Sequence, residues 1–252
     1  MKKVKIALLG LGNVGKGVLS IIRENKEQIV KRSGYEVEIA KILVRDVKKD
    51  RGVEVPTEIL TTSYEEILND NEIKIVVEVM GGIEPAKEYI IRAMEAKKQI
   101  VTANKMLLAT CGDEVFEKAD EMGVSFQYEA SVAGGIPIIN GISQSLTANK
   151  INTLYGIING TTNYILSKME LENLNFEDVL KEAQDKGYAE ADPTSDIEGY
   201  DAQYKLVILS SLAFGTKIKP EHVYREGITK INSIDMEYAL SLIHISEPTR
   251  HW

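Results

Sequence analysis

A short apolar run, Val4 to Leu9, is followed at once by Gly10-Leu11-Gly12-Asn13-Val14-Gly15-Lys16-Gly17. Beyond the glycines, Val14, Val18, Ile21, Ile22 and Ile29 keep helical spacing. Strand, glycine turn and helix in direct succession restrict the chain to a small set of α/β folds. The first glycine permits a tight turn, the second lets backbone approach a pyrophosphate, and the third lets the helix pack close to the strand. The helix N-terminus then faces the phosphates. Glycine turns also serve purely structural ends, but the strand before and the helix after are the context that dinucleotide binding demands. Gly10, Leu11, Gly12, Asn13, Val14 and Gly15 are therefore the expected cofactor contacts.

A chain of 252 residues exceeds the usual single core, so one large or two smaller domains are expected. Its formal net charge of -8 argues against a nucleic-acid-binding face. Cys111 has no partner cysteine in the chain, which favours a reducing, cytoplasmic setting. No apolar run approaches a bilayer span, and the apolar start breaks at Gly10 without a cleavage pattern, so no signal peptide or membrane partner is expected.

The first part of the chain alternates strand and helix. A second strand, Val37 to Val44, ends at Arg45-Asp46. An acid there would bond the adenosine ribose of NAD, and an arginine would hold the extra phosphate of NADP. The position after Val44 points to Arg45 and to NADP, with NAD use and a merely solvated charge as alternatives. Ser63-Tyr64-Glu65-Glu66 has the form of a capping box. Ile73 to Met80 reads as a strand covered on both faces, and Pro85 starts a helix with Ala86, Tyr89, Ile90, Ala93 and Met94 as its stripe. Gln99 to Thr102 delivers Ala103-Asn104-Lys105 at a strand's carboxyl end, where parallel sheets bind ligands. A helix over about Asp113 to Met122 and a strand through Val124, Phe126 and Tyr128 follow. This predicts a Rossmann-type doubly wound parallel sheet over residues 1–130.

Glu129-Ala130-Ser131-Val132-Ala133-Gly134-Gly135-Ile136-Pro137 is a small-residue loop before a helix over about Ile138 to Leu146. Its carbonyls could ring a hard cation, but by pattern alone a plain tight turn is the stronger reading. Ile151, Thr153, Tyr155 and Ile157 alternate as a strand with one covered face, and Asn159 and Asn175 cap the next two helices. An acidic, proline-broken loop from Gly187 leads into a helix over about Tyr200 to Phe214. Strand and helices together predict an α+β substrate domain over residues 131–240. Asp201 and Lys205 share a face one helical turn apart, a spacing that by itself favours an exposed surface ion pair over a shared cleft.

Gly10 to Gly17, Ala103-Asn104-Lys105, Tyr128 to Pro137, Gly156 to Ile165 and above all Gly187 to Lys205 resemble homoserine dehydrogenase, over about Lys3 to Leu240. The resemblance implies reversible NAD(P)H-dependent reduction of L-aspartate 4-semialdehyde to L-homoserine, in threonine, methionine and isoleucine biosynthesis. It places the proton donor on Lys205 and the substrate carboxylates on Glu190 and Asp201. Lys105 falls beside nicotinamide and substrate. A sodium ion falls on Glu129 and on the backbone of Val132, Gly134 and Ile136. It also implies a homodimer built through the substrate domain. Carboxylates suit the substrate ammonium, and a lysine ammonium can protonate the oxygen that gains charge as hydride arrives.

Residues 241–252, from Ser241, fit nothing in the family and read as an aberrant tail on a C-terminally truncated chain. His244 and His251 within it are not read as a metal pair. Truncation predicts uncovered sheet edges and poor solubility, makes dimerisation doubtful, and leaves as the alternative function a catalytically silent fragment that at most binds nucleotide.

Overall fold

The structure is a computed structural model that describes residues 2–232 and 234–239. The tail and its two histidines lie outside the described residues. Two compact units are present. The first holds the chain up to Asn149 with Ser211–Lys217, and the second Lys150–Ser210 with the described residues from Ile218 onward.

In the first unit β1 (Lys2–Leu9) passes through the glycine turn into α1 (Asn13–Glu24). The helix expected to continue through Ile29 breaks at Asn25 (φ -104°, ψ 20°), and α2 (Lys26–Ser33) follows. Asparagine competes with helical bonding through its own short amide, and here it serves as the cap between two helices. β2 (Tyr35–Leu43), β3 (Leu60–Thr61) and α3 (Tyr64–Leu68) come next. The capping box at Ser63 does not form: the Ser63 side chain makes no cap bond, and its N–H donates to Thr61 Oγ1 at 3.0 Å. Then come β4 (Ile73–Glu78), α4 (Ala86–Glu95) and β5 (Gln99–Thr102). On α4, Ala86, Ile90, Ala93 and Met94 are wholly buried, as the stripe predicted.

Helix α5 (Lys105–Met122) begins earlier than the expected Asp113 because the Asn104 side chain accepts the Leu107 N–H and caps it there. It kinks at Cys111 (φ -126°, ψ 15°), where Thr110 bonds back to the Met106 carbonyl at 2.7 Å beside Gly112. β6 (Phe126–Gln127) completes a wholly parallel sheet in the order β3-β2-β1-β4-β5-β6. That is the doubly wound arrangement the sequence predicts, with its switch point between β1 and β4. Leu8, Ile42, Val77 and Leu19 form the core between sheet and α1. The loop after β6 leads to α6 (Ile138–Asn140), which continues as a π-turn over Gly141–Ser145.

The described residues of the second unit are helical or irregular. The strand expected over Ile151 to Ile157 is not formed: no ladder pairs it, and Tyr155 and Ile157 are 92% and 78% exposed. Alternation marks a face but supplies no neighbouring strand to bond with. α7 (Gly160–Glu172) starts at the Asn159 cap, and α8 (Phe176–Asp185) at Asn175, both through side-chain carbonyls as predicted. α7 and α8 close on Ile165, Met169, Val179 and Ala183. Burying each of the larger side chains stabilises the unit by roughly 1.5–3 kcal/mol. The acidic loop contains a short helix, α9 (Thr194–Ile197), ahead of α10 (Tyr200–Phe214). No helix among the described residues is long and apolar enough to cross a membrane.

Candidate active site

The glycine turn divides its labour as the spacing predicts. Gly10 sits at φ +103°, a conformation side chains rarely adopt, and a Cβ there would meet the Val79 carbonyl oxygen at 3.0 Å. A Cβ on Gly15 would come within 2.4 Å of the Gly10 carbonyl, so this glycine alone lets α1 lie against the turn. Gly12 faces open space, with nothing within 4 Å of where a Cβ would be. That space is the inner end of a cleft of about 1100 Å³ at the carboxyl edge of the sheet. Gly10, Leu11, Gly12, Asn13 and Arg45 line it, whereas Val14, Gly15 and Lys105 lie outside its lining.

At the cleft's far rim Arg45 and Asp46 are both exposed, together with Lys49. Asp46 is already engaged, since Oδ1 accepts the Lys48 N–H at 2.8 Å. Arg51 donates to the Asp46 and Lys49 carbonyls and tightens this turn, and Lys16 reaches the Arg51 carbonyl at 3.3 Å. Cations therefore crowd the end of the cleft where an adenosine ribose would lie in this fold. Lys16, Lys49 and Arg51 carried no signal in the sequence beyond their charge.

Lys105 is the first residue of α5 and is half-buried; its N–H donates to the Ala103 carbonyl at 3.0 Å. Glu78, wholly buried at the end of β4, lies within a run that reads as apolar. A charge inside such a run was the available signal.

In the second unit Lys205 Nζ lies 2.6 Å from Asp201 Oδ2 and donates to the Ile158 carbonyl at 2.8 Å. The side chains are only 18% and 6% exposed, which rules out the solvated surface pair. Asn159 completes the group. Its Nδ2 donates to Asp201 at 2.9 Å and to Asp196 at 2.7 Å, and its Oδ1 accepts from the Thr162 N–H and hydroxyl. One amide thus caps α7 and bridges two carboxylates, a role beyond the cap read from sequence. Glu190 is not drawn in. It is exposed, and among the described residues its carboxylate makes no hydrogen bond or ion pair.

Glu129 lies in a 3-10 turn over Glu129–Ser131, and its two carboxylate oxygens accept the Ile139 and Asn140 N–H groups, each at 2.9 Å. The loop between turns through Ala133 at φ 50° and Gly135 at φ 86°, and the Ile136 carbonyl accepts the Ile138 N–H at 2.8 Å. A left-handed alanine is a strained conformer retained against its cost. Carboxylate and carbonyl oxygens fit a hard cation by chemistry. No group of three or more His, Cys, Asp or Glu side chains that could hold a metal occurs among the described residues.

Two family models match the chain: "Homoserine dehydrogenase, NAD binding domain" over residues 10–129 and "Homoserine dehydrogenase" over residues 137–244. The homoserine dehydrogenase of Bacillus subtilis is 45% identical over 96% of this chain and 56% of its own length. A crystal structure of a homoserine dehydrogenase from Thiobacillus denitrificans superimposes with a TM-score of 0.90 at 49% identity, covering 96% of this chain and 56% of that one. A putative homoserine dehydrogenase from Archaeoglobus fulgidus has a TM-score of 0.82 at 32% identity, covering 94% of this chain and 77% of that one. The chain spans about half the length of the curated relatives it matches, 54–56%.

Proposed function

Because this chain belongs to the homoserine dehydrogenase family, we propose that it reversibly reduces L-aspartate 4-semialdehyde to L-homoserine with NADPH or NADH. The observation that carries this reading is the buried Asp201–Lys205 pair, ordered by Asn159, in a chain that also carries a nucleotide cleft. The nicotinamide supplies the hydride. As it reaches the aldehyde carbon, negative charge gathers on the oxygen, and Lys205 protonates it there to give the alcohol. Two of the three ammonium donors of Lys205 are held by Asp201 and the Ile158 carbonyl, which leaves one for the substrate oxygen. Asp201 orients the lysine and, with Glu190, receives the substrate ammonium and hydroxyl. The exposed Glu190 carboxylate has room to do so. Lys105 would lie beside the nicotinamide and substrate.

The cations around Arg45 favour NADP over NAD. Glu129 and the carbonyls of Val132, Gly134 and Ile136 would hold a sodium ion, whose charge would order that loop. The enzyme is a cytoplasmic homodimer serving threonine, methionine and isoleucine biosynthesis. The boundary between nucleotide and substrate domains falls at about residue 130.

The test pairs NADPH consumption in the presence of aspartate semialdehyde with calorimetric nucleotide binding on the same sample. Turnover is expected, and Lys205→Ala should lower kcat by about 10²–10⁴-fold with little change in NADPH affinity. Normal rates in that variant reject Lys205 as the proton donor. Nucleotide binding without any turnover by the unsubstituted chain makes it a silent fragment.

A further inference from the structure

Glu78 closes β4 and Thr102 closes β5, and the parallel register sets Leu9, Glu78 and Thr102 side by side across the carboxyl edge of the sheet. Glu78 is 0% exposed and Thr102 1%. The carboxylate takes three donors: the Met80 N–H at 2.8 Å and the Gly81 N–H at 3.3 Å on one oxygen, and the Thr102 hydroxyl at 2.6 Å on the other. Thr102 Oγ1 accepts the Asn104 N–H at 3.0 Å. The Asn104 side chain returns to the first loop, donating to the Gly82 carbonyl at 2.7 Å, and accepts the Leu107 N–H at 3.1 Å. The bonds form a closed ring through the two loops that follow β4 and β5.

Such a ring is a costly way to finish two buried strands. Among the described residues Glu78 has no cation partner, and a carboxylate removed from water must be repaid by its hydrogen bonds alone. Apolar residues such as the adjacent Val76 and Val77 close strand interiors without that cost. What the carboxylate adds is direction. It accepts only, so the Thr102 hydroxyl must donate to it and has lone pairs left for the Asn104 N–H. Every bond in the ring then has one permitted sense, and neither loop can shift without breaking it. Met80 and Gly81 line the nucleotide cleft, and Asn104 sets where α5 starts, with Lys105 as its first residue.

We propose that Glu78 and Thr102 are positioning residues that lock the cleft floor at Met80-Gly81 to the seat of Lys105. The proposal rests on the reading of Lys105 as a residue beside the nicotinamide. Thr102→Val keeps the side-chain shape and removes both ring bonds of the hydroxyl, and Thr102→Ser restores them. In the full chain Thr102→Val should lower kcat about tenfold or more while raising the NADPH dissociation constant only a few-fold, with Thr102→Ser within about twofold of the unsubstituted protein. In a Lys105→Ala background the same Thr102→Val change should cost far less, because the residue acts through that lysine. Amide exchange should quicken at Met80, Gly81 and Leu107 together. If Thr102→Val does not fold, Glu78→Gln carries the same measurements, since its amide cannot accept on both sides. A lowered melting temperature with unchanged kcat, or an equal kcat loss with and without Lys105, overturns the proposal in favour of a structural role. If the unsubstituted chain shows no turnover, the functional reading fails separately. The exchange experiment then decides the ring: unchanged rates at either loop overturn it.

Discussion

Gly12 and Gly15 share one turn and meet opposite surroundings, so the same substitution should separate their roles. Gly15→Ala forces a methyl to within 2.4 Å of the Gly10 carbonyl, and backbone cannot rotate away as a side chain can. It should destabilise the first unit by about 1–3 kcal/mol and also weaken nucleotide binding. Gly12→Ala meets nothing in the protein, so its melting temperature should stay near that of the parent while nucleotide affinity falls. Melting and calorimetric titration of both variants check the pair; equal destabilisation would show that Gly12 is also a packing glycine. Arg45 sits at the other end of the same cleft. A guanidinium bound to a phosphate makes charge-assisted bonds worth about 1.5–3 kcal/mol, and NADH offers no phosphate there. Arg45→Ala should therefore weaken NADPH by about tenfold or more and NADH little. Equal losses for the two nucleotides would assign the phosphate to the other cations of that rim.

Helices α7 and α8 are joined outside their apolar seam by one carboxylate. Glu182 receives Lys168 and Lys186, each at 2.5 Å, and the Tyr164 hydroxyl at 2.9 Å. Those bonds, that of Lys168 foremost, hold its pKa down to about 2 from an ordinary 4.5. A depressed carboxyl stabilises the fold above its unfolded value and loses that contribution as the pH falls through its folded one. The expected window thus runs from about 4.5 down to about 2. Glu182→Gln should melt below the parent at pH near 6, and the gap should close as the pH approaches the lower limit. A gap that is constant with pH would mean that packing, not ionisation, holds the seam. Elements of this kind were legible because each announces itself locally. The caps at Asn159 and Asn175 and the stop of α10 before Gly215, at φ +60°, all follow from single residues. Alternation over Ile151 to Ile157 failed at this scale because it depended on a partner elsewhere: no ladder forms beside it. The early start of α5 at Lys105 was a local signal of the same kind, since Asn104 caps it through Leu107.

At the scale of the whole chain, the glycine turn and the buried Asp201–Lys205 pair lie in separate compact units, and they were legible to different degrees. The nucleotide half was read from spacing, since a turn, an open glycine and a packing glycine have fixed places in one motif. The polar half was not. Asp201 and Lys205 at one-turn spacing describe any surface pair until burial is known, and neither Asn159 as a bridge nor Glu78 as a lock follows from local pattern. Their partners are far away in sequence, and only folding makes them neighbours. The division of labour has its own test. NADPH at about a hundredfold excess over its dissociation constant should stabilise what it binds by about 2.7 kcal/mol, roughly a hundredfold slower exchange where opening is needed for exchange. In hydrogen-exchange mass spectrometry that protection should fall on peptides spanning Leu9 to Lys16 and Leu43 to Arg51, which line the cleft. Homoserine added alone should instead protect Asn159 to Thr162 and Asp196 to Lys205, where the bridged carboxylates and the lysine lie. Homoserine protection confined to the glycine turn would remove the substrate from Asp201 and Lys205, and with it their assignment as the seat of proton transfer.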